Sequence, residues 1–192
     1  MISQEIELSY KNKVIAGCDE VGRGPLAGPV VAACVIFDEK IPMIDGINDS
    51  KKLSPKKREE LNEKIRSNYI YGIGEASIQE IDDINILNAT KLAIMRAVEK
   101  VNTSVDIILV DGNMKFGDNR FVSIIKGDQK IYTIACASII AKVYRDNLMR
   151  ELAQIHPEYY WEKNAGYGTK LHLSALKEYG ITEHHRKSFV HL

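Results

Sequence analysis

The sequence predicts an α/β fold, a mixed sheet of about five strands flanked by helices, and three features of its patterning carry that prediction. Short apolar runs rich in β-branched residues stand close together near the amino terminus, at residues 14–18 and 30–37. Further along, apolar runs alternate with stretches of helical periodicity. The run Ile107-Ile108-Leu109-Val110-Asp111 is apolar up to its final carboxylate, the pattern of a strand covered by helices on both faces. Strands first, then helix and strand in alternation, give a layered sheet with both antiparallel and parallel neighbours.

Residues 14–18 read as a buried strand and residues 30–37 as its partner, joined through a glycine-proline loop into a hairpin. Ser54 followed by Pro55 marks a helix start, since proline suits the first helical position, and a charged segment continues to about Arg66. A third strand is expected over residues 69–76. From about Asn85 to Val101, the residues Leu87, Leu92, Met95, Val98 and Val101 fall on one helical face. Residues 107–111 and 121–125 supply the fourth and fifth strands. A long alanine-rich helix without glycine or proline follows over residues 132–155. The last helix, residues 171–179, ends at Gly180, which is placed to take a left-handed cap.

Composition bounds the function. With 192 residues, 45% hydrophobic and 27% charged, the chain is expected to form one globular domain over residues 1–192, undivided by repeats or linkers. Twenty-six basic residues balance 26 acidic ones, so binding to a phosphate backbone must come from local clusters rather than a global field. Cys18, Cys34 and Cys136 have no paired spacing, which fits core thiols in a reducing compartment and speaks against a disulfide frame. No apolar run approaches the ~20 residues of a membrane span, and the amino terminus has no leader-like apolar region, so the expected location is cytoplasmic.

The most informative segment is Gly17-Cys18-Asp19-Glu20-Val21-Gly22-Arg23-Gly24-Pro25-Leu26-Ala27-Gly28-Pro29. It sets two carboxylates at the end of an apolar run, next to a glycine-flanked arginine. Adjacent strand residues point to opposite faces, so Asp19 and Glu20 can share a site only where the strand ends or twists. Asp111 ends the fourth strand, and Asp128 lies in the loop after the fifth. Carboxylates at neighbouring strand ends can converge, and four of them would repel one another without a cation. Oxygen-only ligands favour Mg²⁺ or Mn²⁺ over zinc.

These residues bring the chain to a resemblance. It resembles the type 2 ribonuclease H family, specifically the bacterial ribonuclease HII family, over nearly its whole length. The likeness rests on GCDEVGRGPLAGPVVAA at 17–33, NDSKKLS at 48–54, NATKLAIMRAV at 88–98 and LVDG at 109–112, followed by KGDQK at 126–130, ASIIAKVYRD at 137–146, GYGTKLH at 166–172 and HRKSF at 185–189. The resemblance implies a ribonuclease H-like mixed sheet and a metal-dependent endonuclease. Its substrates would be RNA/DNA hybrid duplexes and duplex DNA containing ribonucleotides, cut 5′ to the ribonucleotide to leave 5′-phosphate and 3′-hydroxyl ends. It implies that Asp19, Glu20, Asp111 and Asp128 are the catalytic, metal-binding carboxylates, holding Mg²⁺ or Mn²⁺. Gly22, Arg23 and Gly24 would read the 2′-hydroxyl at an RNA to DNA junction, Tyr167 would stack on the deoxyribose beyond it, and Lys51 would approach the substrate phosphates. A monomer is expected, and the sequence names no protein partner.

Two alternatives stand beside that reading. A type 3 ribonuclease H, acting on longer RNA runs, carries an extra amino-terminal domain, for which a motif starting at residue 17 leaves no room. A hybrid-binding module without turnover is opposed by the four intact carboxylates. The chain stops three residues after Phe189, without the carboxy-terminal extension that some members use to help hold substrate, a departure that bears on affinity rather than on the chemistry. Several segments invite other readings. Gly22 to Ala27 fits a loose dinucleotide-binding pattern, but a strand follows it rather than a helix. Residues 51–66 carry seven basic against three acidic side chains, which can track phosphates or form a solvated helix face. His184 and His185 are adjacent, a poor ligand geometry, and are expected at the surface. Residues 137–146 read as packing, with Arg145 and Asp146 as a structural pair.

Overall fold

The computed structural model describes residues 2–191. Its five-stranded sheet has the order β3-β2-β1-β4-β5. The strands are β1 (Ile15–Val21), β2 (Val30–Ile36), β3 (Tyr71–Ala76), β4 (Ile107–Asp111) and β5 (Phe121–Ile124). β1, β2 and β3 form an antiparallel meander, while β4 lies parallel to β1 and β5 parallel to β4. The mixed sheet read from the sequence is therefore present. β1 extends three residues beyond its expected end, because Asp19, Glu20 and Val21 continue the ladder against Ala33, Ala32 and Val31.

Helices cover both faces. α1 (Glu5–Ser9) precedes the sheet, and α2 (Pro55–Asn68) begins where expected, with the Ser54 hydroxyl accepting from the Lys57 amide. α3 (Ile78–Lys100) starts earlier than Asn85. Ser77 and Glu80 form a reciprocal capping box, and the Ser77-x-x-Glu80 spacing was the sequence signal for it. At Asn85 the backbone leaves helical geometry (φ 66°), and its side chain accepts from the amides of Leu87 and Asn88. The expected start at Asn85 is thus a second cap inside a broken helix.

α4 (Tyr132–Ile155) has the expected bounds. Its N-cap is Ile131, which offers no side-chain acceptor, and the carboxylate of Glu7 takes that role by accepting from the amide and hydroxyl of Thr133, both at 3.0 Å. α4 then crosses β1 at Gly17, where any side chain would overlap Thr133 and the Ile134 amide. α5 (Trp161–Asn164) and α6 (Lys170–Tyr179) complete the chain's helices. Gly180 follows α6 with φ 79° and ψ −156°, so it has the positive φ expected but an extended ψ rather than a left-handed helical one.

Alternate β1 side chains divide between two cores. Ala16 and Cys18 join the α3 side with Ala89, Ala93 and Ile94. Ile15 packs with Leu109, Ile131 and Ile134 on the α4 side. All three cysteines are buried free thiols, as their composition suggested, and Cys18 lies directly across the ladder from Cys34. Among the described residues, no helix is long and apolar enough to cross a membrane.

Candidate active site

The last registered pair between β1 and β4 is Cys18 with Val110. One step further on each strand stand Asp19 and Asp111, side by side on strands about 4.8 Å apart. Gly17 and Leu109, two residues earlier, both face α4, so the pleat aims Asp19 and Asp111 toward that helix. There the Ser138 hydroxyl stands near enough to favour the ionised form of Asp19, and the Glu20 amide donates to Asp19 Oδ1 at 2.8 Å. The Gly127 amide donates to Asp111 Oδ1 at 2.6 Å. That bond fastens the end of β4 to the tight turn Gly127–Gln129, which carries the buried Asp128. Lys126 enters this turn with φ 58°, reversing the chain just before α4.

Glu20 projects from the other face of β1, as the pleat requires. Its carboxylate approaches Arg23 at 3.5 Å, and its second oxygen, Oε2, is buried without a hydrogen-bond partner. An orphaned buried carboxylate oxygen at the open end of a sheet is a ligand position waiting for a donor or a cation.

The electrostatics tie these groups together. Burial pushes the Asp19 carboxyl well above its ordinary range, and the charges of Glu20 and Asp111 push it further. Burial also raises Glu20, with Arg23 opposing and Asp111 adding to the rise. Asp128 is raised by burial and by Asp111 and Asp49, while the Lys51 ammonium pulls it back. Asp111 therefore sits at the centre of a set of mutually opposed charges. The set is open: among the described residues, no three of these carboxylates bring one oxygen each within 4.8 Å of one another. Mutual repulsion favours that wider spacing. The donor set is oxygen-only and includes one unpartnered buried oxygen, which fits a hard divalent cation such as Mg²⁺ or Mn²⁺.

The glycine loop leaves β1 beside this acidic set. Gly22 has φ 92°, and a side chain there would overlap Arg145 Nε. Two fully buried arginines hold the loop by its carbonyls. Arg186 donates to the carbonyl oxygens of Gly22 (2.6 Å), Arg23 (3.0 Å) and Gly28 (2.7 and 2.9 Å). Arg145 donates to Pro29 (2.9 Å), Ala27 (3.0 Å) and Ala165 (2.9 Å). These bonds draw the loop's carbonyls inward and fix its backbone beside the acidic set. The Tyr167 ring stands against Gly24 and is 44% exposed, so it borders the loop without being a core residue. Lys51 lies in the short turn Ser50–Lys52, whose Ser50 hydroxyl meets that of Ser138 at 2.9 Å.

Structure and sequence differ at several points. Arg145 does not pair with Asp146: it reaches inward to the loop carbonyls, and Asp146 pairs with Lys142 at 2.7 Å. His185 is buried rather than exposed, hydrogen-bonded to His172 at 3.0 Å, because its neighbouring backbone bridges Ala27. Part of the basic stretch after Lys51 is engaged within the fold. Lys57 and Lys64 pair with Glu60, and Arg58 donates to the carbonyls of Ser50 and Leu53. Asp49, Ser138 and Arg186 were not singled out in the sequence. Each lies within a block that was, but only the fold shows that Asp49 and Ser138 face the carboxylates and that Arg186 grips the loop.

Comparison with known proteins follows the same outline. Residues 16–192 match the family model described as ribonuclease HII. A ribonuclease HII of Orientia tsutsugamushi (strain Ikeda) is 59% identical over 184 residues, covering 96% of this chain and 89% of the relative. Among solved structures, a chain of the PCNA:RNase HII complex from Archaeoglobus fulgidus superposes with a TM-score of 0.79 at 28% identity, covering 93% of this chain and 96% of its own. The ribonuclease H2 from Pyrococcus horikoshii OT3 gives a TM-score of 0.73 at 28% identity, with 91% and 93% covered.

Proposed function

The chain belongs to the ribonuclease HII family and is a ribonuclease H, and from that premise we propose that it is a metal-dependent endonuclease. It cuts the RNA strand of RNA/DNA hybrids and also cuts 5′ to single ribonucleotides embedded in duplex DNA, leaving 5′-phosphate and 3′-hydroxyl ends. The observation that carries this reading is the placing of Asp19 and Asp111 one residue beyond the last registered pair of β1 and β4, electrically coupled to Glu20 and Asp128 and bordered by the Gly22–Arg23–Gly24 loop.

In this reading Asp19, Glu20, Asp111 and Asp128 are the catalytic ligands. They would hold Mg²⁺ or Mn²⁺, which would supply an activated water and stabilisation of the leaving alkoxide. Arg23 holds Glu20 toward its ionised, ligating form against the effect of burial. Lys51, already within electrostatic reach of Asp128, meets the substrate phosphates. The Gly22, Arg23 and Gly24 backbone reads the 2′-hydroxyl, which can donate and accept a hydrogen bond and so marks a ribose among deoxyriboses. Carbonyls already engaged by Arg186 make this a rigid reader, and the Tyr167 ring beside Gly24 offers a flat surface to the next sugar. Buried free thiols accord with work in the reducing cytosol.

Duplexes containing one, several or no ribonucleotides, incubated with the protein and Mg²⁺, test the proposal. Cleavage is expected at the 5′ side of the single ribonucleotide and within longer RNA runs, with all-DNA duplex untouched. A protein that cuts long hybrids but leaves the single ribonucleotide intact would refute the junction reading.

A further inference from the structure

Away from the acidic site, the end of α4 meets the carboxy-terminal segment at His156, Glu183 and His184. Each of the three offers one ligand atom, and these atoms all lie within 4.8 Å of one another, closer than any three of the strand-end carboxylates among the described residues. The adjacency of His184 and His185 is beside the point here, because His184 is partnered across the fold by His156, whose ring centroid is 5.5 Å away. On His156, Nδ1 lies 3.3 Å from Glu158 Oε1, whereas Nε2 is buried and has no hydrogen-bond partner. A carboxylate on one ring nitrogen and nothing on the other is the arrangement of a histidine prepared to bind a metal, since the carboxylate fixes the tautomer and orients the ring. His184 Nε2 lies 3.7 Å from Glu183 Oε1, and the Trp161 ring stands edge-on to both imidazoles.

We propose that His156, His184 and Glu183 form a binding site for a borderline divalent transition ion of the zinc class, distinct from the hard-cation site at the strand ends. Two imidazoles and one carboxylate are a zinc donor set, leaving a fourth position for water, and Mg²⁺ has little preference for imidazole nitrogen. Ligand atoms of a tetrahedral zinc site lie about 3.3 Å apart, given bonds of about 2.0–2.1 Å. The closure required falls mainly on Glu183, whose side chain is 75% exposed and free to turn inward.

The ion would act as a clip. It fastens residues 183–184 to the end of α4, and the His184 carbonyl accepts from the Gly28 amide at 2.9 Å. Two residues on, Arg186 holds the Gly22 and Arg23 carbonyls. Filling the site therefore stiffens the segment that supports the glycine loop, without touching the substrate.

Titration of the full chain with ZnCl₂, followed by calorimetry and thermal melting, tests this. The wild type and Asp111→Asn are both expected to bind a zinc equivalent that raises the melting temperature by about 5 °C at saturation, while Mg²⁺ added to Asp111→Asn gives no comparable rise. Glu183→Gln, an exposed change that leaves the fold intact, and His184→Gln should each weaken that zinc at least tenfold. Zinc that does not bind the wild type, that is removed by Asp111→Asn, or that binds Glu183→Gln and His184→Gln as tightly as the wild type would overturn the proposal.

Discussion

Arg186 donates to the carbonyl oxygen of Gly22 at 2.6 Å, so a residue six positions from the carboxy terminus fixes the conformation of the first turn after β1. The same guanidinium also serves Arg23 and Gly28. A planar fork spreads five N–H donors over three nitrogens and so reaches carbonyls that the three donors on a lysine's single nitrogen do not span.

Arg186→Ala is therefore expected to leave buried carbonyls unpaired and to cost about 3 kcal/mol or more of stability. Arg186→Lys should retain more stability but lose preference for a single ribonucleotide over longer RNA. Urea denaturation gives the first number, and the ratio of cleavage rates on the two duplexes gives the second.

Two glycines of the loop should respond in opposite ways. At Gly22, with φ 92° and Arg145 Nε where a side chain would sit, alanine should destabilise by roughly 2 kcal/mol or more. At Gly24 an added methyl meets only the Tyr167 ring, at an ordinary contact distance of 3.6 Å, so alanine should leave stability within about 0.5 kcal/mol. Gly24→Ala should nonetheless slow cutting at a single ribonucleotide, because the methyl stands where the sugar approaches. Thermal melting paired with single-turnover cleavage separates the two effects.

The sugar itself can be altered instead of the protein. A 2′-O-methyl group removes the hydroxyl's donor and adds bulk, so a duplex whose lone ribose is methylated should resist cutting. Equal rates on the methylated and natural duplexes would remove the Gly22 to Gly24 backbone from its reading role.

His185 gives a pH dependence remote from the acidic site. Burial, together with neighbouring His172, His156 and His184, lowers its pKa from 6.5 to about 4. The unfolded chain then binds more protons than the folded one between those values, so stability is fully present above about pH 6.5 and declines as pH falls toward 4. The loss between pH 7 and pH 5 should be on the order of 1–2 kcal/mol. Chemical denaturation across that range should show a shallower decline in His185→Gln than in the wild type.

Much of this could be read from the chain before folding. The apolar run ending at Asp111, the β-branched strand after the glycine loop and the unbroken α4 are local patterns, and each took the expected form. What stayed hidden depends on contacts between distant residues. The length of β1 follows from Ala32 and Ala33 continuing the ladder opposite Glu20 and Asp19. The inward turn of Arg145 follows from carbonyls of a loop more than a hundred positions earlier. His185 is polar and stands next to charged residues, so it read as exposed until the bridge to Ala27 buried it. The candidate carboxylates were legible as types at strand ends, while Asp49 and Ser138, which face them, carried no pattern of their own.

The acidic set also makes a stability prediction. Asn at position 111 keeps an acceptor for the Gly127 amide and removes a charge that burdens Asp19, Glu20 and Asp128. Metal-free Asp111→Asn should thus be as stable as the wild type or more so, and Mg²⁺ or Mn²⁺ should raise its melting temperature less. A large loss of metal-free stability would mean that the charges do not oppose one another.

The most direct measurement is Mg²⁺-dependent cutting of a DNA duplex with one embedded ribonucleotide by the wild type, Asp19→Asn and Asp111→Asn. The wild type should cut 5′ to the ribonucleotide, and each variant should fall by about a thousandfold or more, as removal of transition-state charge stabilisation does. Undiminished cutting by either variant would contradict a shared metal site built from Asp19 and Asp111.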